Sequence, residues 1–184
     1  MRKGKIRESD ESITWEYDRE TSTLIISGNG DIPNYSCKLY DRPWHKYAHL
    51  IKKVVIKDSI TRIGNDAFYD CKSLASITIG KGVISIGEHA FFDCNNLISV
   101  DIPNSVTTIE LGAFARCGKL TSVTIPKSIK YIGHYAFYKN YELSLVNIGE
   151  NSIKLEKHHD TQGRLIAYKA FSGYMTQYEE GKTY

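Results

Sequence analysis

DAFYDCKSL at residues 66–74 returns as HAFFDCNNL at 89–97, GAFARCGKL at 112–120 and YAFYKNYEL at 135–143. The interval is 23 residues each time, and a constant period of this length is the mark of a repeat architecture. Phe68, Phe91, Phe114 and Phe137 form one column, with Ala67, Ala90, Ala113 and Ala136 before it and Leu74, Leu97, Leu120 and Leu143 after it. Two β-branched columns follow: Ile77, Val100, Val123, Val146, and Ile79, Ile102, Ile125, Ile148. Ile60, Val83, Val106, Ile129 and then Ile63, Ile86, Ile109, Ile132 complete the unit, and no insertion interrupts the run from Ile60 to Ile148.

Each unit divides into two pieces. SITI at 76–79 alternates polar and apolar residues, the period of a half-buried strand. In NDAFYDCKSL, Ala67, Phe68, Cys71 and Leu74 fall on one face at helical spacing, which predicts a short helix or 3₁₀ turn. Gly64, Gly87 and Gly133 precede that turn and mark a sharp bend; Glu110 breaks the column, so the third bend is expected to differ. One unit is too small to bury its own apolar face, and stacking solves the problem. The fold class expected is an α/β repeat solenoid, a right-handed stack with a parallel sheet on one face and strands near 53–56, 76–79, 99–102, 122–125 and 145–148. Ile51, Val54 and Ile56 read as a degenerate first rung in which Trp44 takes the aromatic place.

An open stack needs caps. ITWEYDRETSTLIISG reads as a β-hairpin cap, GNGDIPNYS as loop and RPWHKYAHL as a helical turn. The divisions expected are 1–43 for cap and loop, 44–150 for the solenoid, and 151–184 for a C-terminal cap or the start of an appended small domain. Within that last stretch LIAYKAF is expected to pair with MTQYEEGKTY.

The pattern Ile-Gly-x-x-Ala-Phe-x-x-Cys-x-x-Leu-x-x-Ile-x-Ile-Pro-x-Ser-Val resembles the BspA-type leucine-rich repeat of bacterial surface proteins, and IGEHAFFDCNNLISVDIPNSV at 86–106 follows it closely. The resemblance implies a leucine-rich-repeat solenoid, a cell-surface or secreted location and, in some members, adhesion. Gly82, Ser105 and Ser128 stand at the Asn/Cys position of leucine-rich repeats in general, so an asparagine ladder is expected to be missing.

Chemistry is sparse. Cys71, Cys94 and Cys117 share a column with Asn140, and read as small buried thiols rather than a metal site or a disulfide. Asn140 marks the end of the stack, and Cys37 is the thiol expected to react. His158-His159-Asp160 reads as a solvated loop, since adjacent histidines on an extended chain diverge. No catalytic fingerprint is present, and neither an enzyme nor a cofactor is expected. A net charge of +3 is too small to argue for nucleic acid, and no apolar run is long enough for membrane insertion. MRKGKIRESDES has no apolar leader region, which leaves a cytoplasmic location open.

The outward rows of the sheet are the candidate binding surface for a protein or glycan: Lys53, Ser76, Ser99, Ser122, Leu145, and Val55, Thr78, Asp101, Thr124, Asn147. A plain solvated face and a structural spacer carrying an appended domain are the rival readings. Tyr69, Phe92 and Tyr138 flank the buried Phe column; an interaction patch and packing between turns both fit them.

Overall fold

The computed structural model describes residues 1–7, 10–37, 41–148, 151–154, 156–159 and 165–169. Strands β5 (Lys53–Ile56), β7 (Ser76–Thr78), β9 (Ser99–Asp101), β11 (Ser122–Ile125) and β13 (Leu145–Ile148) fall where the alternating segments predict them. Their pairing is parallel and in 23-residue register, with Lys53 opposite Ser76, and Ser99, Ser122 and Leu145 in line.

A second parallel sheet runs along the stack and was not anticipated. It joins β4 (Gly30–Asp31), β6 (Ile60–Ile63), β8 (Ser85–Ile86), β10 (Thr108–Ile109) and β12 (Tyr131–Ile132). Ile60, Ile63, Val83, Ile86, Val106 and Ile109 turn inward from this side and are fully buried. Two-residue strands are too short to show alternation, so the sequence reads them only as apolar columns.

The third side of each rung is neither helix nor 3₁₀. Among the described residues the one helix is the 3₁₀ turn His45–Tyr47, and the α part of the expected α/β class is built of turns instead. The reason is backbone handedness. Asp66 and Asp70 have φ of 55° and 59°, and His89/Asp93, Gly112/Arg116 and Tyr135/Lys139 repeat the pair. A left-handed residue every fourth position cannot propagate a right-handed helix. It splits the N–H groups into two sets. Those of Ala67, Tyr69 and Cys71 bond within the rung, to Gly64, Asp66 and Phe68. Those of Asp66, Phe68 and Asp70 cross to the carbonyls of Glu88, Ala90 and Phe92 in the next rung. The residues expected inside are still inside: Ala67, Phe68, Cys71 and Leu74 are all fully buried.

Gly64 and Gly133 do not serve as left-handed bends. A Cβ on Gly64 would lie 2.0 Å from the Pro33 carbonyl oxygen, and one on Gly133 2.5 Å from the Leu111 nitrogen, so the requirement is close approach of neighbouring rungs. Glu110 keeps the same backbone bond as its glycine counterparts, donating to Ile86 as Gly87 donates to Ile63, and its side chain sits 3.8 Å from Arg62.

The core is a spine of rings. Trp44, Phe68, Phe91, Phe114 and Phe137 stack with centroids 5.1–5.5 Å apart and near-parallel planes. Trp44 holds the aromatic place of the degenerate rung, as its sequence position suggested.

The cap is larger than a hairpin. β1 (Arg2–Arg7) pairs antiparallel with β2 (Asp10–Asp18), which pairs with β3 (Thr23–Gly28). β3 then pairs parallel with β5, Leu24 opposite Val54, and β4 lies in the segment read as loop. Thr23 and Lys53 are 30 residues apart rather than 23, the extra residues falling after Tyr35. At the other end β14 (Asn151–Lys154) folds back antiparallel on β13 and covers the edge of the first sheet. β15 (Glu156–His159) pairs antiparallel with β16 (Leu165–Lys169), so His158 and His159 lie on a strand rather than in a loop. LIAYK therefore takes 156–159 as its partner; Asp160 and the segment 175–184 lie outside the described residues.

The cysteine column is a hydrogen-bond ladder. The Cys94 thiol donates to the carbonyl of Phe68, and that of Cys117 to Phe91, each at 3.3 Å. Asn140 occupies the same place with stronger groups: its Nδ2 donates to Phe114 O at 3.0 Å and its Oδ1 accepts from Cys117 N at 2.8 Å. It bonds backward into the stack, so the ladder runs through this column, which is separate from the Gly82, Ser105 and Ser128 position.

Burial pushes the Cys71 and Cys117 thiols from 9.0 up to about 12, and Cys94 well above its ordinary value. The folded chain thus holds these protons more firmly than the unfolded chain. Their contribution to stability is complete below pH 9 and is lost as pH rises toward 12. Urea midpoints measured from pH 8 to 11 should fall over that window, and iodoacetamide at pH 8 should label half-buried Cys37 well before the three ladder thiols. Equal labelling of all four would contradict a closed ladder.

Candidate functional site

The candidate face is the outer side of the first sheet. Its side chains are placed by the strand alternation that buries Val54, Val100, Val123 and Val146, with their neighbours pointing away. The structure brings the expected residues together as two rows. Lys53 pairs with Ser76, and Ser99 with Ser122; Val55 pairs with Thr78, and Asp101 with Thr124 and then Asn147. Lys53, Ser76, Thr78, Ser99 and Asp101 are exposed, whereas Val55, Ser122, Thr124 and Asn147 are half-buried.

A seam divides the rows. β7 and β9 are not hydrogen-bonded neighbours, and the link beside them, Ile98 N to Ala75 O, stretches to 3.4 Å against 2.8 Å for Ala75 to Lys52 and 2.9 Å for Thr121 to Ile98. Ile77 is correspondingly half-buried while its column mates are buried. The sheet opens at this point, and the exposed side chains cluster on both lips of the opening. Nothing in an unbroken 23-residue repeat signals a seam.

The face also reaches further than the repeats. Through β3 the rows continue to Thr23 and Ile25, then to Asp18 and Glu16 on β2 and Lys3 on β1. Sequence reading placed these residues in a separate cap, because parallel pairing of β3 with β5 is a long-range contact. The only available signal was that Leu24 and Ile26 share the alternation of Val54 and Ile56.

Chemically the rows can donate and accept hydrogen bonds. Among the repeats they hold hydroxyls, the Asp101 carboxylate and the Lys53 ammonium, and through β2 and β1 also Glu16, Asp18 and Lys3, with no histidine or thiol among them. Among the described residues no group of three or more His, Cys, Asp or Glu side chains could hold a metal ion, and no helix is long and apolar enough to cross a membrane.

On the turn side Tyr69 stacks on Phe92 at 5.1 Å with planes 3° apart, and the Arg116 guanidinium lies 5.5 Å from the Phe92 ring centroid. Ala115 interrupts that column, leaving Tyr138 exposed beside Tyr135. Arg42, unremarked in the sequence, is a buried cation that closes the first turn by donating to the carbonyls of Asp66 and Tyr69, while Trp44 Nε1 donates to Ala67.

A family model for the BspA type leucine rich repeat region matches residues 44–159 in six copies. The chain belongs to the BspA-type leucine-rich repeat family. The six copies exceed by one the five rungs counted from the sequence. Among solved structures this BspA-type chain is similar to a leucine-rich repeat protein from Eubacterium ventriosum, at 24% identity and TM-score 0.57 over 77% of this chain and 43% of that one. It is also similar to a leucine rich repeat protein of T. pallidum, at 24% identity and TM-score 0.57 over 78% of this chain and 71% of that one. Those likenesses speak for the fold. The chain spans less than half the length of the Eubacterium protein. No curated protein matches it significantly. Leucine-rich repeats of this kind are generally scaffolds for interaction rather than enzymes.

Proposed function

We propose that this BspA-type chain is a non-catalytic recognition module whose outer sheet face binds a protein or glycan at the bacterial surface, in an adhesive setting. The observation that carries the reading is the run of exposed small polar side chains on the lips of the seam, Ser76, Thr78, Ser99 and Asp101, in a sheet whose inner face is committed to the core. Such groups hydrogen-bond to water when free and can exchange it for a partner's donors and acceptors. Family membership supports both the interaction role and the surface location.

The test is a Thr78→Ala, Ser99→Ala, Asp101→Ala triple variant on a panel of immobilised extracellular-matrix proteins and glycans. Surface alanines cost within about 0.5 kcal/mol of stability, so the melting curve should be unchanged. Binding should weaken about tenfold or more if these side chains form the centre of the contact. Equal binding by variant and wild type would remove the face from consideration. Binding of nothing by the wild type would favour the spacer reading. Protease shaving of intact source cells should destroy the protein without lysis; protection would place it inside and exclude adhesion.

A further inference from the structure

The sides of the stack treat their cations differently. On the turn side the Lys72 ammonium lies 3.1 Å from Asp70, and the Arg116 guanidinium 3.6 Å from Asp93. Along the outer sheet face and the turns that leave it stand Lys53, Lys57, Lys81 and Lys127, all exposed. None of the four makes an ion pair among the described residues. The same rows and turns hold two acids, Asp58 and Asp101. Asp58 Oδ1 accepts from the Lys81 backbone N–H at 2.9 Å, not from its ammonium. The face therefore carries an uncompensated positive excess.

Those lysines follow the repeat. Lys81 and Lys127 occupy one column, in the turns after β7 and β11, with Asn104 between them. Two rungs separate them, about 10 Å at the strand spacing of a sheet. The seam does not disturb the period, because Phe91 lies 5.1 Å from both Phe68 and Phe114. The rows of the repeats hold no aromatic side chain and no arginine, the usual anchors of a protein contact.

Resting on the sheet-face reading, we propose that the ligand of that face is an extended acidic glycan with one uronic acid in each disaccharide. It lies along the stack with one sugar ring per rung. Alternate rings of such a chain carry a carboxylate, and a disaccharide advances by nearly the distance of two rungs. One carboxylate then meets Lys81 and the next Lys127, while the neutral ring between them faces Asn104. The long lysine stems carry their ammonium groups from the corner to the chain. Ring hydroxyls exchange water for the side chains on the lips of the seam, with Asp101 as an acceptor. The positive excess selects a carboxylated chain over a neutral one.

Calorimetric titration of the full chain with a hyaluronan hexasaccharide, which alternates uronic acid and a neutral sugar, tests this. Neutral chitohexaose and poly-L-glutamate are the comparisons. Hyaluronan should bind, more weakly as salt rises, and both comparisons should bind at least about tenfold more weakly. A Lys81→Gln, Lys127→Gln double variant should lose about threefold to tenfold in affinity, as two exposed ion pairs allow. Lys72→Gln with Lys139→Gln makes the same charge change on the turn side and should leave binding unchanged. Equal binding of poly-L-glutamate, or equal losses from the two double variants, would reduce the effect to net charge and overturn the proposal. No hyaluronan binding would overturn it too, and would leave the sheet-face reading intact if the Thr78→Ala, Ser99→Ala, Asp101→Ala variant still lost another partner. Hyaluronan binding that neither the lysine pair nor that triple variant weakens would place the site elsewhere and remove both readings.

Discussion

Phe91→Ala should be the most damaging single substitution in the chain. Phe91 is fully buried and its ring lies 5.1 Å from both Phe68 and Phe114, so truncation opens a cavity in the middle of the ring spine. Phe-to-Ala changes at such sites cost about 3–5 kcal/mol, against a total stability for a domain of roughly 5–15 kcal/mol. A repeat array holds together only through neighbouring rungs, so a gap at the centre should also split the urea transition into two steps. The adjacent Phe92→Ala is the control. Phe92 is half-buried on the outer side, stacked on Tyr69, and its loss should cost about 1 kcal/mol. Urea unfolding followed by far-UV circular dichroism gives both values, and equal shifts for the two variants would refute a spine that carries the core.

Asn140→Ala should come second, and Asn140→Cys should lie between it and the wild type. Asn140 is fully buried, and alanine leaves the Cys117 N–H and the Phe114 carbonyl without their partner. Each buried polar group left unsatisfied costs about 1–3 kcal/mol, so with two such groups the loss should be roughly 2–6 kcal/mol. Cysteine restores a weak thiol donor to Phe114, the arrangement that Cys117 and Cys94 make one and two rungs earlier, and leaves the Cys117 N–H at best a weak sulfur partner. The order Asn, Cys, Ala in urea midpoint is the expected result. A cysteine variant as weak as the alanine one would mean that the column is a matter of volume and not of hydrogen bonding.

These two columns show how far residues alone carry the reading. The Phe column was legible because burial is written in residue type: an apolar ring at every 23rd position has nowhere to go but the core. The Cys/Asn column was legible as buried but not as bonded. A thiol and a carboxamide share small size in sequence, and the donor–acceptor geometry they also share appears only once Phe carbonyls are in place 26 residues upstream. The turn backbone was misread for a related reason. Ala67, Phe68, Cys71 and Leu74 have helical spacing, yet Asp66 and Asp70 adopt left-handed φ because the inter-rung bonds they enable outweigh the local cost.

Of the candidate face, membership in the rows was legible from alternation, since a strand sends successive side chains to opposite sides. The seam between β7 and β9, the continuation through β3 to β1, and the second sheet were not, because each depends on which backbones lie side by side. The sequence by itself thus determined the period, the core columns and the family, all of which follow from residue type repeating along the chain. Tertiary structure alone decided the sheet extent, the seam and the hydrogen-bond ladder, since backbone donors and acceptors are the same in every residue and only their placement distinguishes them.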